Sequence, residues 1–400
     1  MTHRQLKAGY FTLAGWNTLA SCYYFNFLFF FFRDRFGFGN RENLWASALY
    51  GASYMIAAWQ SGRFAARFGR GVSLKTGFLA LTLLMVAGAF LSGAMAQIIV
   101  LAVYGAALTL VWPALETLVS ERETQSGVQK MVGIYNCIWA GAAAFAYFTG
   151  GKLYDELGTG AIFWVPAGIF LGQFLLVLWL EPHHAAVLAA TPEPVREIHE
   201  VPASFVWNQP VSPASFLKMA WLVNPFAYIA INTLIAVMPG IAHKLALSPT
   251  QAGLFCSVWF FGRFGAFVLF WRWCGWHYRF RWLLTAFLLL IASLATILLA
   301  QQLWLVIGAQ IFFGLATGLI YYSSLFYSMD VGRASSENSG LHEAFIGAGT
   351  CLGPATGAAA LTFAPHSANV ATWAVSGLLT AGLGGLLWLR LHPAKKDLKL

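Results

Sequence analysis

The sequence predicts an all-α integral membrane protein. Its twelve transmembrane helices form two pseudo-symmetric six-helix bundles, with both termini cytoplasmic. Three observations predict this: sparse charge, twelve apolar runs of crossing length, and one long polar stretch dividing the runs six and six. Of 400 residues, only 10% are Asp, Glu, Lys or Arg, and 59% are hydrophobic. A soluble domain carries about 25% charged residues. This chain has too little polar surface to cover a globule in water, so lipid must solvate most of it.

Each crossing needs about 20 mainly apolar residues. The runs are 8–32, 43–65, 72–92, 97–119, 129–150, 160–180, 219–239, 250–272, 281–300, 303–328, 339–361 and 368–390. The first is too long for a signal-peptide core and lacks a small-residue cleavage site, so it is expected to stay as a helix. Most connections are short. The exception is 181–218, rich in Pro and polar residues, which reads as a cytoplasmic linker. It divides the chain into bundles 1–180 and 219–400.

The net charge is +9. In a soluble chain this would suggest nucleic acid, but here the basic residues sit in short loops between apolar runs. Of 24 Lys and Arg, nineteen fall on the side that carries both termini and five on the other. That bias places the termini inside, and a multi-pass protein of the cytoplasmic (inner) membrane follows. The expected partners are the bilayer, a small-molecule substrate and a coupling proton. No nucleic acid is expected, and the working unit is a monomer. The five cysteines are scattered and form no CxxC, so neither a disulfide framework nor a metal site is expected.

Trp59-x-x-Gly62-Arg63-Phe64-x-Ala66 recurs as Trp259-x-x-Gly262-Arg263-Phe264-x-Ala266. The two copies fall in the second and eighth runs. At an offset of 207, Asn136 and Gly150 of the fifth run match Glu343 and Gly357 of the eleventh. Two six-helix copies that start on the same side are parallel repeats. Such repeats place a substrate site at their interface, near mid-bilayer.

Gly62-x-x-x-Ala66-Arg67-Phe68-Gly69-Arg70 resembles the signature of the major facilitator superfamily, Gly-x-x-x-Asp-Arg-x-Gly-Arg. Helix count, linker and repeat extend the resemblance along the whole chain. The resemblance implies gating roles for Gly62, Arg63, Arg67, Gly69 and Arg70, although Ala66 replaces the acid that helps latch the gate. It also implies two contacts between halves, second helix with eleventh and fifth with eighth. Arg63 would then meet Glu343 as an ionic gate, and Arg263 would face Asn136 near the inner end of the eighth helix. Gly349, Gly353 and Gly357 echo the superfamily's antiporter motif, but in the wrong half. They read better as a smooth ridge for close helix packing.

The first, fourth, seventh and tenth helices line the cavity in this superfamily. The first carries Asn17, Ser21 and Tyr24 at i, i+4, i+7, a polar stripe on an apolar helix. The fourth carries Thr109, Trp112 and Glu116, the seventh Asn232, and the tenth Thr317, Tyr321 and Ser324. Asn136, Trp139 and Trp259 add deeper amide and indole groups. An ionisable group inside the bilayer costs on the order of 3 kcal/mol, so it needs a function or a partner. Glu116, Glu343 and the neighbouring His342 are the candidates for proton coupling. The alternative reading makes Glu343 a solvated residue at its helix N-terminus, and some of the polar stripes simple interhelical hydrogen bonds.

These residues predict a secondary active or facilitative transporter working by rocker-switch alternating access. With little fixed charge expected in the cavity, a small, neutral or zwitterionic, partly apolar organic solute is favoured. No catalytic residue and no cofactor is assigned, and no phosphate-cradling motif supports ATP drive. The alternatives are a lipid-moving or receptor-like protein on the same fold, or an intramembrane acyl-transfer enzyme using His342 or Glu343.

Overall fold

The computed structural model describes residues 1–191, 212–331 and 336–392, apart from the side chains at 125, 126, 129, 329–331 and 336–341. Its elements are α1 (His3–Phe36), α2 (Asn40–Phe68), α3 (Arg70–Phe90), α4 (Ala94–Leu108), α5 (Trp112–Ser120), α6 (Gln125–Leu157) and α7 (Ala161–Ala190) in the first half. The second half holds α8 (Pro213–Lys244), α9 (Pro249–Cys256), α10 (Val258–Arg272), α11 (Phe280–Leu299), α12 (Leu303–Val331), α13 (Ser336–Phe363) and α14 (Val370–Leu391).

Local chemistry sets the ends. Thr2 caps α1 by accepting from the Gln5 N–H, and the Gln5 side chain reaches back to Thr2. This reciprocal pair satisfies two orphan donors. Ser248 and Gln251 repeat the device at α9, with Pro249 at the first helical position, where its missing N–H costs nothing. Gly69 alone separates α2 from α3, at φ +91, a conformation that favours glycine. The signature's second glycine is therefore explained by the sharpness of this turn.

Fourteen described helices make twelve crossings because two crossings are broken. α4 and α5 form one, interrupted at Thr109–Val111, where Pro113 follows. Proline removes a helical donor and crowds the preceding turn. α9 and α10 form another, broken at Ser257. Ten of the twelve are long and apolar enough to span by length and composition. α1 and α2 fall short of that apolarity because their polar residues, Asn17, Ser21, Asn26, Asn43, Ser47 and Ser61, are buried inside the bundle.

The crossings predicted at 160–180 and 219–239 are longer in the structure. α7 runs to Ala190 and α8 begins at Pro213, so the linker predicted from 181 is helical over its first ten residues. The Ala-rich stretch Ala185–Ala190 has strong helix propensity. At the other end of the predicted linker, 213–218 belong to α8, and 192–211 lie outside the described residues.

Trp45, Trp164, Trp179, Trp304 and Trp388 are all exposed, and lie near the ends of apolar runs, where amphipathic indoles anchor a helix at the membrane surface. Phe27 and Phe29–Phe32 are buried, which makes them packing residues. Phe27 lies 5.3 Å from the Tyr147 ring of α6.

Successive crossings alternate, so α1 starts and α14 ends on one face, here the terminal face. Ion pairs stitch the first half together there. Arg70 donates to Glu121 at 2.7 Å, Lys75 to Glu181 at 2.7 Å, and Lys7 pairs with Glu123. Burial pushes the Lys7 ammonium below its usual range, and Glu123 counters that shift.

Candidate functional site

The two halves meet most extensively along α2 and α13, with α6 meeting α9 and α10 as the second seam. Both seams are close because glycine permits it. A Cβ at Gly51 of α2 would meet the backbone of Thr350 and Cys351, and one at Gly347 would meet Met55. At the second seam, a Cβ at Gly151 would meet the Pro249 carbonyl. Asp155 accepts from the Thr250 N–H at 3.0 Å, and Tyr154 donates to Asp34 at 2.8 Å. The Asp155–Thr250 bond and the glycine approaches draw the halves together at the face opposite the termini, while Tyr154–Asp34 ties α6 to α1 within the first half.

Beneath them lies a cavity of about 190 Å³ between the halves. Of the predicted cavity residues, Ser21, Trp112, Glu116, Trp139, Asn232, Trp259 and Tyr321 line it, and so do Arg263 and Glu343. Asn232 donates to the Thr350 hydroxyl at 3.0 Å, joining α8 to α13.

Other predicted residues lie beside the cavity. Asn17 and Tyr24 are buried but do not line the cavity, and the Tyr24 ring packs, tilted, against Tyr104 at 4.6 Å. The α1 stripe that faces the cavity is Thr18, Ser21, Cys22 and Phe25, rotated slightly from the predicted one. Thr109 and Thr317 bond back to the carbonyls of Ala106 and Phe313 within their own helices. Asn136 accepts from the Trp139 indole at 2.9 Å. Ser324 lies 3.4 Å from His342, which also contacts Asn224 at 3.3 Å. His342 sits in this α8–α12–α13 contact and does not line the cavity.

The sequence reading missed Tyr50, Tyr54, Tyr104, Tyr135 and Tyr228, which also line it. Tyr50 and Tyr54 are spaced i, i+4 on α2, and that spacing was the available signal. Tyr54 donates to a Glu343 carboxylate oxygen at 2.5 Å. Glu343 is buried seven residues into α13 and is not a solvated helix cap.

Arg63 does not meet Glu343. It is exposed on the terminal face and stacks on Trp59 at 5.4 Å, as Arg67 stacks on Phe68 at 5.2 Å. Gly62 is buried, and Ala66 is exposed beside Gly69. Nor does Arg263 lie near the inner end of its crossing. It is 4% exposed, in the cavity, a turn farther from its helix end than Arg63 is. The two arginines of the Trp-x-x-Gly-Arg echo therefore sit in different surroundings. The other echo pairs Asn136 with Glu343 in sequence, at an offset of 207. Glu343 contacts Tyr54, and Arg263 stacks on Trp139, one turn from Asn136.

Residues 11–229 match the Major Facilitator Superfamily. The chain belongs to that superfamily. Among solved structures, it is similar to a bacterial homologue of the human lysosomal transporter Spinster, inward-facing and unoccupied. Identity is 12%, coverage 98% of this chain and 95% of that one, and the TM-score 0.62. It is similar to the human organic anion transporter TETRAN at 13% identity, 96% and 100% coverage, and a TM-score of 0.65. It is also similar to a mutant of the nucleoside transporter NupG at 12% identity, 96% and 99% coverage, and a TM-score of 0.68. No curated protein sequence matches. At such identities the structural likenesses establish the superfamily's transporter fold, as a multi-pass membrane protein.

Proposed function

We propose that this chain is a secondary transporter that carries a small, partly apolar organic solute through the central cavity by alternating access. The observation that supports it most directly is placement. The cavity lies between the two halves, below glycine-lined seams that close one face, and rocking of the halves would open it to each face in turn. The bundle then sits in the cytoplasmic membrane with the terminal face inside, as the Lys and Arg bias implies. One chain holds the whole cavity, consistent with a functional monomer.

The lining favours a zwitterionic or singly charged solute over a neutral one. The cavity contains Arg263, Glu116 and Glu343 together with indole and phenol rings, so it offers both charge signs and apolar walls. Glu343 and Glu116 are the proton carriers in this reading, since an intramembrane carboxylate that faces a cavity can gain and lose a proton during the cycle. The titratable groups sharing the cavity with Glu343 are Cys22 on α1, Tyr50 and Tyr54 on α2, Tyr104 on α4, Glu116 on α5, Tyr135 on α6, Tyr228 on α8, Arg263 on α10 and Tyr321 on α12. His342 lies outside this set. A gate at the terminal face would use the exposed Arg63 and Arg67 and the Arg70–Glu121 pair.

Counterflow in proteoliposomes tests the reading against its alternatives. Vesicles preloaded with unlabelled solute should draw in labelled solute well above equilibrium, with no ATP present. Turnover of an acyl donor without net flux would instead support an enzyme. Solute binding without flux would support a receptor.

A further inference from the structure

Arg263 is a permanent cation buried between the halves, and although Glu116 and Glu343 share its cavity, neither forms an ion pair with it. Its guanidinium carbon lies 4.7 Å from the centre of the Trp139 ring, 5.1 Å from Tyr321, 5.6 Å from Phe267 and 5.7 Å from Tyr228. These rings come from α6 in one half and α8, α10 and α12 in the other. Their π faces attract the charge, but they use none of its N–H groups in ordinary hydrogen bonds.

A guanidinium has five N–H donors in a fixed fork. One contact is present, from Nη2 to the Tyr228 hydroxyl at 3.5 Å. The buried Nε–H has no partner, and among the described residues no carboxylate forms an ion pair with Arg263. A buried donor left unmade costs about 1–3 kcal/mol, and an unpaired buried charge costs more. The residue is therefore poised for an anion that arrives from the cavity.

We propose that Arg263 is a carboxylate-binding subsite, and that the solute is an organic acid or amino acid whose apolar body lies against the cavity's aromatic wall. The assignment rests on the transporter reading for its physiological meaning, but the binding chemistry stands independently. The planar fork of Arg263 matches a carboxylate bidentately. Its rings hold the fork in place before the solute arrives, which reduces the entropy lost on binding. Trp112 and Trp139 offer the apolar surface. The subsite takes one anionic group, because Arg263 is the only arginine or lysine lining the cavity among the described residues.

The test uses the full chain, purified, with three acids of increasing size, benzoate, 3-phenylpropionate and octanoate, each compared with its own amide. Thermal stabilisation and quenching of tryptophan fluorescence report binding, since Trp139 touches Arg263. At least one acid should bind about tenfold or more tighter than its amide, a gap typical of a charge-assisted bidentate contact. Arg263→Gln should erase that preference, and Arg263→Lys should restore part of it. Equal binding of acids and amides by the unaltered chain, or no binding of any acid, overturns the subsite even if the variants do not fold. So does an Arg263→Gln chain that keeps the preference. Acid-selective binding without counterflow would leave the subsite standing and remove the transporter reading. Counterflow of an amine or amide with no preference for acids would do the reverse.

Discussion

Glu343→Gln should abolish uptake driven by an imposed pH gradient while leaving counterflow of the same solute within about twofold of the unaltered chain, because only the driven mode needs a carboxylate that changes protonation. The expectation follows from position. Glu343 is 5% exposed, lines the cavity and accepts from Tyr54 across the α2–α13 seam. Glutamine keeps the shape and the acceptor for Tyr54, so the seam should survive. What it loses is the ability to carry a proton between faces. Glu116→Gln, measured alongside, identifies the carrier: the variant that loses gradient-driven uptake has lost the carboxylate that moves the proton. Gradient-driven uptake that persists in both variants would remove proton coupling by this pair.

Gly51→Ala should destabilise the protein, although in an exposed helix the same change stabilises by about 1 kcal/mol. A Cβ at Gly51 would overlap the backbone of Thr350 and Cys351. Backbone cannot rotate aside as a side chain can, so α2 and α13 must separate. Overpacking of this kind costs about 1–3 kcal/mol or more, and Gly51→Leu should exceed Gly51→Ala. Thermal unfolding gives the sign. Cys351, half-buried beside Gly51, gives the mechanism: it should react faster with a maleimide once the seam opens. Higher stability and unchanged Cys351 labelling would mean that the close approach does not matter.

Helices were legible because lipid demands long apolar runs and internally satisfied backbones, and twelve such runs stand out; their pairing came only from the resemblance to the superfamily. The break before α5 had a signal in Val111-Trp112-Pro113 that run-finding ignores. The break at Ser257 has no proline, and nothing local announced it. The site was less legible for two reasons. Spacing along one helix defines a stripe but not its rotation, so Asn17 and Tyr24 were chosen where Thr18, Cys22 and Phe25 face the cavity. Tyrosine suits cores, interfaces and cavities alike, so Tyr228 carried no distinctive signal and Tyr50 and Tyr54 only their i, i+4 spacing. Arg263 was misplaced because a matched Trp-x-x-Gly-Arg string was taken as structural register. The structure puts Arg263 in the cavity and Arg63 at the exposed terminal face, so the matched string does not give the two arginines matching surroundings.

The central claim is that two rigid halves rock about the cavity. Spin labels on exposed positions test it in a chain whose five cysteines are replaced. One pair, at Glu156 and Gln251, spans the halves at the face opposite the termini. The other, at Arg67 and Arg281, spans them at the terminal face. Interlabel distances would be measured in lipid while a transported solute is titrated. The account predicts changes of opposite sign at the two faces, one pair separating as the other approaches. Distances that stay fixed at both faces while solute crosses, or that widen together, would contradict it.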